Sequence, residues 1–113
     1  MQISTTLTDK VLIVNLVGEI DHHSAAKIKE KVERDYMTTN AKDIILDFSS
    51  VTFMDSSGIG MIMGRYKNLI PKGQLKIFGA NEHINNIFSI SGIEKIITIC
   101  KDKDEALGGR YVR

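Results

Sequence analysis

Ile44-Ile45-Leu46-Asp47-Phe48, then Asp55-Ser56-Ser57-Gly58, then the run beginning Ile59-Gly60-Met61-Ile62-Met63 is the stretch that decides the fold. Its first segment is an almost unbroken apolar run of strand length, as expected for a strand covered on both faces. From Ile59 the apolar residues change spacing: Ile59, Ile62, Met63, Tyr66 and Leu69-Ile70 recur at threes and fours. That is the register of a helix with one buried face, and Pro71-Lys72-Gly73 stops it. Two hydroxyls and a carboxylate therefore sit where a strand hands over to a helix. Serine and aspartate there can cap the helix's free N–H groups, and the same N–H groups would welcome a phosphate. The motif is either an ordinary helix start or a site where charge is added and removed.

The flanking segments extend the pattern. Residues 2–8 and 11–17 are both β-rich and are separated by Thr8-Asp9-Lys10, which reads as a hairpin. Gly18-Glu19-Ile20-Asp21 leads to a helix from about His22 to Tyr36, with Ala25, Ile28, Val32 and Tyr36 on its apolar face and Asp21 or Ser24 as its cap. Asp43 to Phe48 is the second buried strand, and Ser49 to Phe53 is expected to be a connector. Leu75 to Phe78 is a short strand, and Asn81 caps a helix carrying Ile84, Ile87 and Phe88 that Gly92 ends. Ile96 to Cys100 makes the last strand, residues 102–108 a short charged helix, and residues 109–113 a frayed tail. Strand–helix alternation after a hairpin predicts an α/β domain, a mixed and mostly parallel sheet with about four helices. The order of the strands is left open.

Composition narrows the function classes. A chain of 113 residues, 42% apolar and 26% charged, is one ordinary globular domain, read here as residues 1–113. Its net charge of +1 comes from 15 basic and 14 acidic side chains with no sustained basic run, which disfavours nucleic acid as a direct partner. No apolar stretch approaches the roughly 18 residues needed to span a bilayer, and Asp9 and Lys10 interrupt any signal-peptide pattern. Neither a membrane nor a secretory route is expected, and a cytoplasmic location is the simplest reading. The single cysteine, Cys100, has apolar neighbours and reads as a buried thiol.

On a helical wheel the face opposite the apolar one carries Gly60, Met61, Gly64 and Asn68. Glycine lowers helix propensity by about 1 kcal/mol relative to alanine, and a solvated face would ordinarily be rich in lysine and glutamate. A flat surface of small residues with an exposed methionine, next to two serines, is expected to dock another protein. The alternative is close packing by the terminal helix or a self-contact.

Catalytic patterns are missing. No Gly-x-Ser-x-Gly elbow surrounds Ser56 or Ser57. Of the three histidines, His22, His23 and His83, none is placed near the serines by spacing. The adjacent pair points in two directions, lacks a third metal ligand, and reads as polar loop residues. Gly58-Ile59-Gly60 is too short for a dinucleotide fingerprint, and the lysine of a phosphate-binding loop is absent. Asp47 and Asp55 are single carboxylates rather than an acid–base pair. No cofactor or metal is expected.

Three segments together resemble a known family. Residues 18–25 (Gly-Glu-Ile-Asp-His-His-Ser-Ala), residues 53–60 (Phe-Met-Asp-Ser-Ser-Gly-Ile-Gly) and residues 64–67 (Gly-Arg-Tyr-Lys) are similar to a STAS domain (sulphate transporter and anti-sigma factor antagonist). Within that family the likeness is to the anti-sigma factor antagonists of sporulating bacilli, and it weakens beyond about Gly92. The resemblance implies a partner-switching regulator and no enzyme. Unphosphorylated, such a protein binds an anti-sigma factor that is also a serine kinase, and so releases the sporulation sigma factor. The kinase phosphorylates the second serine of the motif, here Ser57, and a serine phosphatase restores the active form. Asp55, Ser56 and Gly58 correspond to the acceptor's loop, and Asp21, His22, His23 and Ser24 to the neighbouring loop. With Ile59, Gly60, Met61, Gly64 and Asn68 on the helix, these make the expected partner surface. Two other readings stay open: a STAS module that binds a nucleotide or other small ligand in the same loop cleft, and an antagonist in a general stress sigma factor pathway.

Overall fold

The computed structural model describes residues 1–108, so the tail expected at 109–113 lies outside the described residues. The elements run β1 (Gln2–Thr8), β2 (Val11–Ile20), α1 (His22–Met37), β3 (Asp43–Met54), α2 (Ser56–Leu69), β4 (Leu75–Phe78), α3 (Glu82–Ser91), a 3₁₀ turn (Ile93–Lys95), β5 (Thr98–Cys100) and α4 (Lys103–Ala106). The sheet order is β1-β2-β3-β4-β5, with only the first pair antiparallel. Asp9 and Lys10, with φ of 46° and 66°, form the two-residue turn between β1 and β2. Left-handed residues at both positions match the twist of the strands they join.

Each parallel neighbour is reached by one helical crossover, always stepping in the same direction across the sheet. Right-handed crossovers then place α1, α2 and α3 on one face. Leu12, Val14, Leu16, Ile44, Leu46 and Phe48 point into that layer and meet Ile28, Val32, Ile62, Ile84 and Phe88 from the helices. The alternate residues Val11, Ile13, Ile45 and Cys100 face the other way, under Ala106 and Leu107 at the end of α4. Apolar residues at both parities explain the unbroken hydrophobic runs of β2 and β3.

Several boundaries depart from expectation, among them the start of α2 at Ser56 rather than Ile59. Residues 49–53 continue β3 instead of connecting it, because β2 also runs on and pairs with them: Val17 faces Ser50, Glu19 faces Phe53 and Ile20 faces Met54. The register shifts twice along this stretch, which breaks the apolar alternation a sequence would show. The last strand begins at Thr98 rather than Ile96, since the 3₁₀ turn after Gly92 (φ 79°) takes up the preceding residues. The consequence for function is at one end of the sheet. Ile20 and Met54 are paired, so α1 and α2 start side by side at the same level.

Candidate functional site

Both helices open on an aspartate. The Asp21 carboxylate accepts from the Ser24 N–H at 2.8 Å, and the Asp55 carboxylate accepts from the Ser57 N–H at 2.8 Å. The two loops are tied together by the Asp55 N–H, which donates to the Ile20 carbonyl at 3.1 Å. N–H donation from Ser24, then its hydroxyl, pulls the Asp21 carboxyl below its usual range.

The serines differ sharply. Ser24 is buried; its hydroxyl accepts from the Asp21 N–H at 2.8 Å, completing a capping box, and donates to the Glu19 carbonyl at 2.9 Å. Ser57 is half-exposed, and among the described residues its hydroxyl has no hydrogen-bond partner. It faces an open groove between α1 and α2, whose walls include His22, Ala26 and Lys29 from one helix and Gly60 and Met61 from the other. Ser56 is exposed and is not among the groove residues.

The structure rearranges several expectations. Met61, expected on the exposed face, is only 6% exposed and belongs to the core. The reason is α1: lying alongside α2, it covers the flank that a single-helix wheel assigns to solvent. Gly60 is exposed and Gly64 half-exposed, and a Cβ added at either would meet no atom within 4 Å. The terminal helix does not fill that face, since α4 lies across the sheet, while α1 packs against part of it at Met61 and Asn68. Ile59 is half-buried against the core, and Asn68, exposed, donates to Glu33 at 3.3 Å. Gly58 is buried, and a Cβ there would overlap Met54 Cγ and Sδ.

His22 and His23 occupy the first turn of α1 and are not loop residues; both are exposed. His22 borders the groove with Ser57, whereas His23 borders a second hollow with Gly18, Glu19 and Thr52. His83 stacks on Phe53, ring centroids 5.7 Å apart, two residues before Asp55. Asp47 accepts from the Ser49 N–H and hydroxyl, two residues along its own strand. Among the described residues no group of three or more His, Cys, Asp or Glu is placed to hold a metal, and no helix is long and apolar enough to cross a membrane.

Arg65 escaped sequence reading. It is 4% exposed, pairs with Glu33 of α1 at 3.0 Å, and donates to the Lys29 carbonyl at 3.4 Å. Its signal was visible: a cation three residues after Ile62 and four before Leu69, in the register of the buried stripe. Through it α1 and α2 are held together.

The sequence model of the STAS domain family matches residues 2–106. An anti-sigma F factor antagonist from Paenibacillus polymyxa is 35% identical over 86% of this chain and 84% of its own length. An anti-sigma-B factor antagonist from Listeria monocytogenes is 33% identical over 82% of each chain. Among solved structures, the Bacillus cell fate determinant SpoIIAA in the phosphorylated form superposes with a TM-score of 0.72 at 26% identity, covering 95% of this chain and 97% of that one.

Proposed function

Since the chain belongs to the STAS domain family, we propose that it is an anti-sigma factor antagonist whose binding is switched at Ser57. Unphosphorylated, it binds an anti-sigma factor that doubles as a serine kinase and frees the sigma factor; a serine phosphatase reverses the modification. It acts in the cytoplasm as a regulator and substrate, not as an enzyme. The observation that carries this is Ser57: half-exposed, lining an open groove, its hydroxyl without a hydrogen bond among the described residues, where Ser24 is buried and fully engaged. The names of the relatives, and a phosphorylated form of one of them, support the same reading.

The chemistry asks little of this chain. A base on the kinase takes the Ser57 hydroxyl proton, Oγ bonds to the γ-phosphorus of ATP, the bond to the β–γ bridging oxygen breaks, and ADP leaves. The product carries about −1.5 to −2 charges. A charge left buried and unpaired at a protein interface costs roughly 3–5 kcal/mol, and each 1.4 kcal/mol is about tenfold in affinity. Loss of binding by two to three orders of magnitude therefore needs no refolding.

Incubation with the anti-sigma kinase and ATP, followed by mass spectrometry, should place one phosphate on Ser57; a phosphate on Ser56 instead, or none, overturns the proposal. In titrations against the same kinase, Ser57→Asp should bind about 100-fold more weakly or worse, and Ser57→Ala should bind as the parent does. Equal affinities would sink the charge argument. A sigma-B-type pathway is the second reading, because the Listeria relative is nearly as similar as the Paenibacillus one. Titration against both kinds of anti-sigma factor decides between them.

A further inference from the structure

The groove that Ser57 faces is flanked by two basic side chains from α1, His22 in its first turn and Lys29 two turns further along. Among the described residues neither side chain has a hydrogen bond or an ion pair, whereas Lys31 and Arg34 of the same helix are paired with Asp35 and Glu30. Seven residues of helix separate Lys29 from His22 by roughly 10 Å, and side chains on a helix lean toward its N-terminus. An extended lysine therefore reaches back along the groove toward the end that Ser57 lines. Its own backbone is pinned, because Arg65 donates to the Lys29 carbonyl at 3.4 Å. The floor opposite is Gly60, where even a Cβ would meet nothing within 4 Å. The carboxylates nearest along the chain, Asp21 and Asp55, are turned to their own helix N–H groups.

We propose that this groove is the seat of the phosphate. Once on Ser57, the phosphoryl group folds over Gly60 and bridges to Lys29 and His22, so that modification fills the gap between α1 and α2 as well as adding charge. The inference rests on Ser57 being the acceptor and names the residues that read the modification. Paired to α1, the phosphate consumes both basic side chains and the open groove, features that the unmodified surface presents to a partner.

The test uses full-length protein with phosphoserine installed at position 57 during translation, so it does not depend on any kinase. Phosphorus NMR across pH should give a second ionisation midpoint below the value of about 6 for an unpaired phosphoserine. Lys29→Gln should raise that midpoint by about 0.7 unit, the size expected of one cation about 4 Å away in water. His22→Gln should raise it as well, and His23→Gln should leave it unchanged. Identical midpoints in the parent, Lys29→Gln and His22→Gln proteins would overturn the proposal, as would an equal shift from His23→Gln. Absence of phosphate on Ser57 after kinase treatment would instead defeat the parent reading, leaving the groove result standing.

Discussion

Three serines near the two helix starts illustrate how a single side chain's surroundings decide its use. Ser24 closes a capping box and is sealed under the Glu19 carbonyl, Ser56 is exposed, and Ser57 has its N–H on Asp55 and its hydroxyl free. The capping geometry keeps the backbone at Ser57 satisfied whatever its hydroxyl carries, so cap and switch are compatible roles of one motif. Gly58 next to it is constrained differently, by Met54 and Ile20 beneath it. Gly58→Ala should lower stability by about 1–3 kcal/mol through overpacking, measured by urea unfolding. An unchanged midpoint would mean that Met54 moves aside at no cost.

At the scale of elements, α2 carries two glycines that its packing does not require. Gly60→Ala should raise stability by up to about 1 kcal/mol, since a helix interior gains from alanine. Gly64→Arg should abolish binding to the anti-sigma factor while the unfolding transition stays in place; loss of the folded state instead would show that the face is packed after all. The other side of α1 is tied to β1, where the Thr5 hydroxyl donates to Asp35 at 2.7 Å. That bond, and then Lys31 and Arg34, hold the Asp35 carboxyl below its usual value. A carboxyl depressed in the folded state stabilises it above the unfolded value of about 4, and the contribution disappears as pH falls through the depressed value. Thr5→Val should therefore cost about 1 kcal/mol at pH 7 and almost nothing in strong acid, as urea titrations at the two pH values would reveal. A cost that is the same at both would point to packing rather than to the charged hydrogen bond.

For the whole molecule, the two-sided sheet sets what is reachable from solvent. Cys100 lies under α4, 5% exposed, and burial pushes its thiol pKa up. Labelling of Cys100 by a thiol reagent should be slow in the native protein and should accelerate in parallel with global unfolding in urea. Rapid labelling without denaturant would mean that α4 opens independently of the rest. The same architecture would keep the proposed switch local: three helices share one face, Ser57 sits at the top of the middle one, and no strand must move for charge to be added there.

The sequence by itself determined the α/β class, the hairpin, the existence of the two helices and the Asp55-Ser56-Ser57-Gly58 handover, because periodicity and capping are local and each is written in a few consecutive residues; which residue caps the first helix, Asp21 or Ser24, it left open. Resemblance to STAS domains supplied the choice of Ser57 and the kind of partner. Tertiary structure alone decided the strand order, the extension of β3, the burial of Met61, and the places of Arg65 and Lys29. All of these depend on α1 lying against α2 and on β2 running beside β3, and a contact between distant segments leaves no period in either one. That is why the Asp-Ser-Ser-Gly motif was legible in the chain, while the groove beside Ser57 became visible only when two helices were set side by side.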